Sequence, residues 1–194
     1  MGKIYYLMGK SSSGKDTIFR MIMRSKEVSL KTIVPYTTRP IRAGETEGKQ
    51  YHFVDEEKFT ALKNSGKIIE DRAYNTCHGL WRYFMVDDGR IDLSKHDYII
   101  IGTLEAFLKC AQYYGREKTV PIMIDLDDGV RLERALKREK KQEKPKYEEL
   151  CRRFLADSED FSEDKLQAAG ITARFDNTNL DECLGRIIDY IKNN

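Results

Sequence analysis

The sequence predicts an α/β fold in which a parallel sheet is covered by helices on both faces, and three observations predict it. Short apolar runs such as Tyr98 to Ile101 and Val120 to Ile124 alternate with segments whose apolar residues recur at helical spacing. The first run, Ile4-Tyr5-Tyr6-Leu7-Met8, passes directly into the glycine-bounded stretch from Gly9 to Thr17 and then into Ile18, Met21 and Ile22, spaced i, i+3, i+4. The chain has 194 residues, 40% hydrophobic and 34% charged, which suits one domain with an ordinary core.

The first connection is Gly9-Lys10-Ser11-Ser12-Ser13-Gly14-Lys15-Asp16-Thr17. A loop of this kind between a strand and a helix wraps backbone N–H groups around a phosphate chain. The positive end of the helix lies behind them and the Lys15 ammonium reaches the outer phosphates. Gly9, Ser11, Ser12, Ser13, Gly14, Lys15, Asp16 and Thr17 are therefore donor-nucleotide candidates. The residue after the lysine, commonly a hydroxyl that helps to hold Mg²⁺, is here Asp16, with Thr17 next. The competing reading is a serine-rich turn before a capped helix.

Next come a short strand over 31–34, the stretch from Thr37 to Glu45, then Gly48 and the alternating Tyr51-His52-Phe53-Val54. Arg39 and Arg42, three apart in a loop stiffened by Pro40 and Gly44, are placed to converge on one anion. Guanidinium forks suit a phosphate, and a tyrosine hydroxyl supplies a further donor. A solvated charged loop is the other reading. A helix is expected over 55–62 and a strand over 67–70. Leu80 to Val86, Asp87-Asp88-Gly89 and Arg90 to Leu93 predict a hairpin turning at the Asp-Gly. Trp81 and Tyr83 there either line a pocket or serve as ordinary packing.

After Tyr98 to Ile101, the residues Leu104, Phe107, Leu108 and Ala111 mark a helix against the sheet. Val120 to Ile124 ends at Asp125, which invites a metal-binding role through water, while Asp127 or Asp128 is a candidate helix cap. Leu132, Ala135 and Leu136 are the expected apolar face of the following helix, which enters the charge run from Arg138 to Lys144. That run is a solvated helix end or a mobile basic flap. The next helix is expected to bury Tyr147, Leu150, Cys151, Phe154, Leu155 and Phe161. A strand over 171–175, a polar turn from Asp176 to Asn179 and a helix carrying Leu180, Cys183, Leu184, Ile187, Ile188 and Ile191 complete the chain.

The segment from Thr37 to Glu45, with Gly48, Tyr51, Phe53 and Val54 at fixed offsets behind the phosphate loop, resembles the monophosphate-binding signature of the guanylate kinase family. The resemblance implies a P-loop nucleoside monophosphate kinase fold. It also implies transfer of the γ-phosphoryl of ATP to a nucleoside monophosphate, GMP first, with Mg²⁺ accompanying ATP. Arg39, Arg42, Glu45 and Tyr51 would hold the acceptor phosphate, with Glu45 orienting the arginines. Glu70 would read the N1–H/N2 edge of guanine, and His78 and Thr103 would lie in the acceptor pocket. Lid arginines Arg134 and Arg138, with Arg153 from the next helix, would join Lys15 in catalysis, and Asn177 would sit beside the donor adenine. The implied anatomy is a single domain with core 1–34, 94–136 and 148–194, an acceptor-binding insert over 35–93 and a lid over 137–147. The chain departs from the family where Pro35, Leu80 and Ile101-Gly102-Thr103 replace expected polar groups.

Lys plus Arg (34) and Asp plus Glu (32) nearly cancel to a net charge of +2, which gives no footprint for polymeric nucleic acid. The apolar runs are too short to span a bilayer, so a cytoplasmic protein is expected, monomeric or homodimeric. The four cysteines and three histidines are scattered, so no metal cage of protein side chains is expected. Two other functions compete with the kinase: a guanylate-kinase-like binding module without catalysis, and a P-loop GTPase switch. The switch lacks an Asn-Lys-x-Asp element and leaves the Arg39 to Tyr51 signature unexplained.

Overall fold

The computed structural model describes residues 2–42, 44–76 and 79–194. Five strands, β1 (Ile4–Met8), β2 (Leu30–Thr32), β7 (Asp97–Ile101), β8 (Thr119–Asp125) and β9 (Arg174–Asp176), form a sheet in the order β2-β7-β1-β8-β9. Every pairing in it is parallel, with Ile4 opposite Tyr98 on one side and Thr119 on the other. Because side chains alternate along a strand, β1 feeds two cores. Ile4, Tyr6 and Met8 pack with α3 (Leu104–Tyr114) and with Leu166 of α6 (Glu163–Ala168). Tyr5 and Leu7 pack with α1 (Lys15–Arg24) and α7 (Leu180–Lys192). Helices thus cover both faces, as the alternating pattern predicts.

Between β2 and β7 a second sheet is inserted, in the order β4-β3-β6-β5, from β3 (Tyr36–Thr37), β4 (His52–Phe53), β5 (Ile68–Thr76) and β6 (Gly79–Val86). Phe84 and Val86 point to one face and pack with Tyr36 and with Phe59 of α2 (Glu56–Asn64). The expected hairpin is corrected here. β6 pairs antiparallel with β5, Arg72 opposite Tyr83 and Tyr74 opposite Trp81, and Asp87-Asp88-Gly89 leads into a non-strand segment. The aromatic, β-branched run found its partner upstream, because β5 supplies a second alternating strand of matching length.

Two helix faces also differ from expectation. On α4 (Asp128–Glu139) Leu132 and Leu136 are exposed, while Arg131 is buried, 1% exposed. On α5 (Tyr147–Asp160) no residue is fully buried, Leu155 is 68% exposed, and Cys151 is exposed. These two helices meet through the Arg131–Asp157 ion pair and both hydrogen-bond Ser11 of the phosphate loop, so the apolar stripe does not mark their inner face.

Candidate active site

The loop after β1 lies at the carboxyl end of the sheet, between neighbours β7 and β8, where open parallel sheets bind ligands. Three backbone features shape it. Gly14 is left-handed, with φ +94°. A Cβ there would collide with the Asn177 amide. Ser12 is also left-handed, φ 65°, a conformation that costs a non-glycine residue ~1–2 kcal/mol. Helix α1 then begins with no side-chain cap, so its first N–H groups and its positive dipole end are directed into the loop. The Ser12 and Ser13 hydroxyls are buried without partners. Lys15 makes no hydrogen bond or ion pair among the described residues.

Ser11 is held on all three of its polar groups by α4 and α5. Its N–H donates to Asp157 Oδ2 at 2.7 Å, its carbonyl accepts from Arg131 Nη1 at 3.0 Å, and its hydroxyl accepts from Arg153 Nη2 at 3.0 Å. Arg131 is fixed in turn by Asp128, with Nε at 2.9 Å and Nη2 at 2.7 Å from Oδ1, and lies over the Phe154 ring. Arg138 and Arg153 line a cavity of about 170 Å³ shared with Ser11 and Arg131. Arg134 reaches the other side of the loop, its Nη1 3.9 Å from where a Cβ on Gly14 would stand. From behind, Asn177 donates Nδ2 to the Ser13 carbonyl at 2.7 Å and is 2% exposed. Its amide buttresses the loop.

Asp125 is bound by Arg174, Nε to Oδ2 at 2.6 Å, so the carboxylate considered for a metal already has a cation. Asp127 caps α4, its Oδ1 accepting from Val130 N–H. No group of three metal-ligating side chains occurs among the described residues.

The acceptor candidates lie on the insert. Arg39 is 3% exposed and gives its Nη1 and Nη2 to the two Glu45 oxygens at 2.8 and 2.6 Å. Glu45 also accepts the Arg42 N–H at 2.9 Å. That pairing uses the end of the guanidinium and leaves the side formed by Nε and Nη2; Nε is a buried donor without a partner. The hydrogen bonds from Arg39, then the Arg42 N–H, hold the Glu45 carboxyl below its ordinary range against the opposing effect of burial. Tyr51 lies under Arg39, 5.2 Å from its ring centroid to the guanidinium carbon, and Arg42 lies over Trp81.

Because β5 and β6 alternate, Glu70, Arg72 and Tyr74 share a face with Trp81 and Tyr83, opposite the face that carries Phe84. Tyr83 stands 5.5 Å from Tyr51 and 5.8 Å from Tyr74, ring to ring. Trp81 and Tyr83 are half-buried on this face, outside the cluster formed around Phe84. At the far end Glu70, 4% exposed, accepts Arg72 Nε at 3.0 Å and Nη2 at 3.3 Å. Arg72 Nη1 crosses to Thr103 Oγ1 at 3.1 Å and ties the insert to the core. Burial pushes Glu70 up and the Arg72 charge pulls it back only in part; burial also opposes the Arg72 charge, which Glu70 restores. Thr103 caps α3, accepting the Ala106 N–H. His78, like Cys77 and Ala43, lies outside the described residues.

With this geometry in view, the likeness to known proteins is specific. A family model for guanylate kinase matches residues 1–79. The resemblance read from the sequence holds over that stretch: residues 1–79 are similar to guanylate kinase. The guanylate kinase of Anaplasma phagocytophilum is 32% identical over 108 residues, 55% of this chain and 50% of that one. That of Chromobacterium violaceum is 30% identical over 102 residues, 50% of this chain and 48% of the relative. The chain spans about half the length of these curated relatives. A crystal structure of guanylate kinase from Anaplasma phagocytophilum superposes with a TM-score of 0.66 at 24% identity, covering 98% of this chain and 85% of that one, which establishes the fold.

Sequence reasoning missed Arg131, Asp157, Arg72 and Tyr6. The one readable signal was the alternation Glu70, Arg72, Tyr74, which puts a cation and a carboxylate on one strand face. Tyr6 also accounts for the glycine at 102: a Cβ there would overlap the Tyr6 phenol.

Proposed function

We propose that the chain transfers the γ-phosphoryl of ATP to GMP, giving ADP and GDP. The observation that carries this reading is the pairing of two anion sites of different design. One is a phosphate loop with an unpaired Lys15 at an uncapped helix start. The other is an insert where Glu45 orients Arg39 so that a buried Nε remains to be satisfied. An acceptor phosphate lying against Arg39, Arg42 and Tyr51 meets charge-assisted donors, and its nucleoside runs along the Tyr83 wall toward Glu70, Arg72 and Thr103.

Phosphoryl transfer asks mainly for positioning and for cancelling charge on the moving group. Lys15 and the loop N–H groups hold the donor phosphates, and Arg134, Arg138 and Arg153 supply charge from the α4–α5 side. On this reading residues 137–147 act as the lid that excludes water, residues 35–93 as the acceptor-binding insert, and the remainder as the core. Asp16 and Thr17 offer hard oxygen donors at the first turn of α1, which fits Mg²⁺, an ion that takes one or two protein oxygens and completes its shell with phosphates and water. Bound there, Mg²⁺ would supply the charge that bridges the outer phosphates of ATP.

The test is turnover of the protein with ATP, Mg²⁺ and each nucleoside monophosphate in turn. ADP formed only with an acceptor, and fastest with GMP, is the expected result. GDP from GTP alone would indicate a switch, and absence of turnover a binding module.

A further inference from the structure

We infer that Arg72 is the residue that selects the acceptor base, and that it does so by donating to the O6 and N7 acceptors of guanine. The inference rests on the GMP reading above and adds to it a residue that the resemblance does not assign.

Glu70 is already engaged: its side chain is almost fully buried, and both of its oxygens accept from Arg72. What the base end of the cleft offers is the guanidinium. Of its five N–H groups, Nε and one on Nη2 go to Glu70, and one on Nη1 goes to Thr103. One N–H remains on each of Nη1 and Nη2, the two nitrogens that form the end of the fork. Arg39 shows the opposite arrangement, its end given to Glu45 and its side left over.

Arg72 is also rigid in a way that recognition requires. Glu70 grips it from one side, Thr103 anchors it to the core, and the Tyr6 phenol lies within electrostatic reach of both members of the pair. Its place along the cleft follows from Tyr83, which stands opposite Arg72 across the two strands and 5.5 Å from the Tyr51 ring that lies under Arg39. With the acceptor phosphate at Arg39 and Tyr51, the base falls at the Arg72 end, beside Tyr74 and Tyr83. A paired fork meets the O6/N7 edge of guanine with two parallel hydrogen bonds. Adenine presents an amino donor in place of O6 and meets a donor.

The experiment compares acceptor KM and kcat for GMP, 7-deaza-GMP, in which N7 is replaced by C–H, and AMP, with ATP KM measured alongside. In the parent protein 7-deaza-GMP should lose about tenfold or more in kcat/KM, expressed in acceptor KM, while ATP KM stays put. In Arg72→Met the two guanine analogues should become equivalent within about twofold, and the preference for GMP over AMP should shrink about tenfold. Arg72→Met leaves a buried carboxylate unpaired, so Arg72→Met/Glu70→Gln is made in parallel to give a folded variant. Equal use of GMP and 7-deaza-GMP by the parent, or an analogue ratio that persists in a folded Arg72 variant, overturns the inference and leaves the GMP reading standing. A parent that turns over no GMP overturns both, and does so in the first assay.

Discussion

In the phosphate loop Lys15 has no counter-ion among the described residues and α1 begins uncapped, whereas on the insert Arg39 and Arg72 each already hold a carboxylate in two hydrogen bonds. The donor side keeps its cation unpaired and fixes the backbone around it, through Asp157, Arg131 and Arg153 on Ser11 and through Asn177 on Ser13. The acceptor side fixes its cations themselves. On the proposed function, the difference follows from the ligand. A nucleotide donor brings several phosphate charges that satisfy a flexible ammonium, while a monophosphate and a base must be met at fixed angles, which planar guanidinium forks achieve once oriented.

The comparison can be broken most severely at Lys15. Lys15→Ala should lower kcat by about 10²-fold or more with the thermal midpoint nearly unchanged, because the ammonium makes no hydrogen bond or ion pair among the described residues. Activity within about tenfold of the parent would remove Lys15 from the chemistry. Arg39→Ala should come next. Losing a charge-assisted contact worth roughly 1.5–3 kcal/mol should raise GMP KM by about 10- to 150-fold, and here the fold should suffer too, since Glu45 loses its partner. An unchanged acceptor KM would dissolve the phosphate site.

A smaller effect is expected from the supports of the donor loop. Asp157→Asn should keep much of the hydrogen bond to Ser11 N–H but lose the charge opposite buried Arg131, raising ATP KM several-fold while GMP KM holds. A rise in both constants together would mean that α5 supports the whole cleft and not the loop alone.

The smallest effect sharpens the contrast through pH. Because the folded-state pKa of Glu45 is lowered by Arg39, the stabilisation is present above the ordinary glutamate value of 4.5 and is lost as pH falls through the lowered one. The difference in thermal midpoint between the parent and Glu45→Gln should therefore be clear at pH 7 and fade in the acid range below about 4.5. A difference that stays constant down to pH 3 would show that the carboxylate's charge contributes nothing.

Much of the fold was legible because strand and helix periodicities differ and because β1, β7 and β8 are apolar runs buried on both faces. The donor loop and the phosphate end of the insert were legible for a local reason: the residues that cooperate lie within a few positions of one another, as Arg39, Arg42 and Glu45 do. What escaped was long-range. Arg131 and Asp157 reach Ser11 across more than a hundred residues of chain, and a buried arginine breaks the rule by which Leu132 was expected to point inward. The strand over 80–86 was recognised, but its partner was assigned downstream, since a central Asp-Gly is a strong turn signal and pairing with β5 leaves none of that kind in the sequence.

The contact between Gly14 and Asn177 has a consequence for how relatives of this chain can diverge. A side chain at position 14 would require the left-handed backbone and the space now filled by the Asn177 amide, and that amide in turn holds the Ser13 carbonyl. Neither position can drift alone. A substitution at 14 is accessible only after 177 has shrunk, and shrinking 177 first costs the loop its support. Two residues far apart in the gene are thereby expected to change rarely and together, as a pair coupled by geometry.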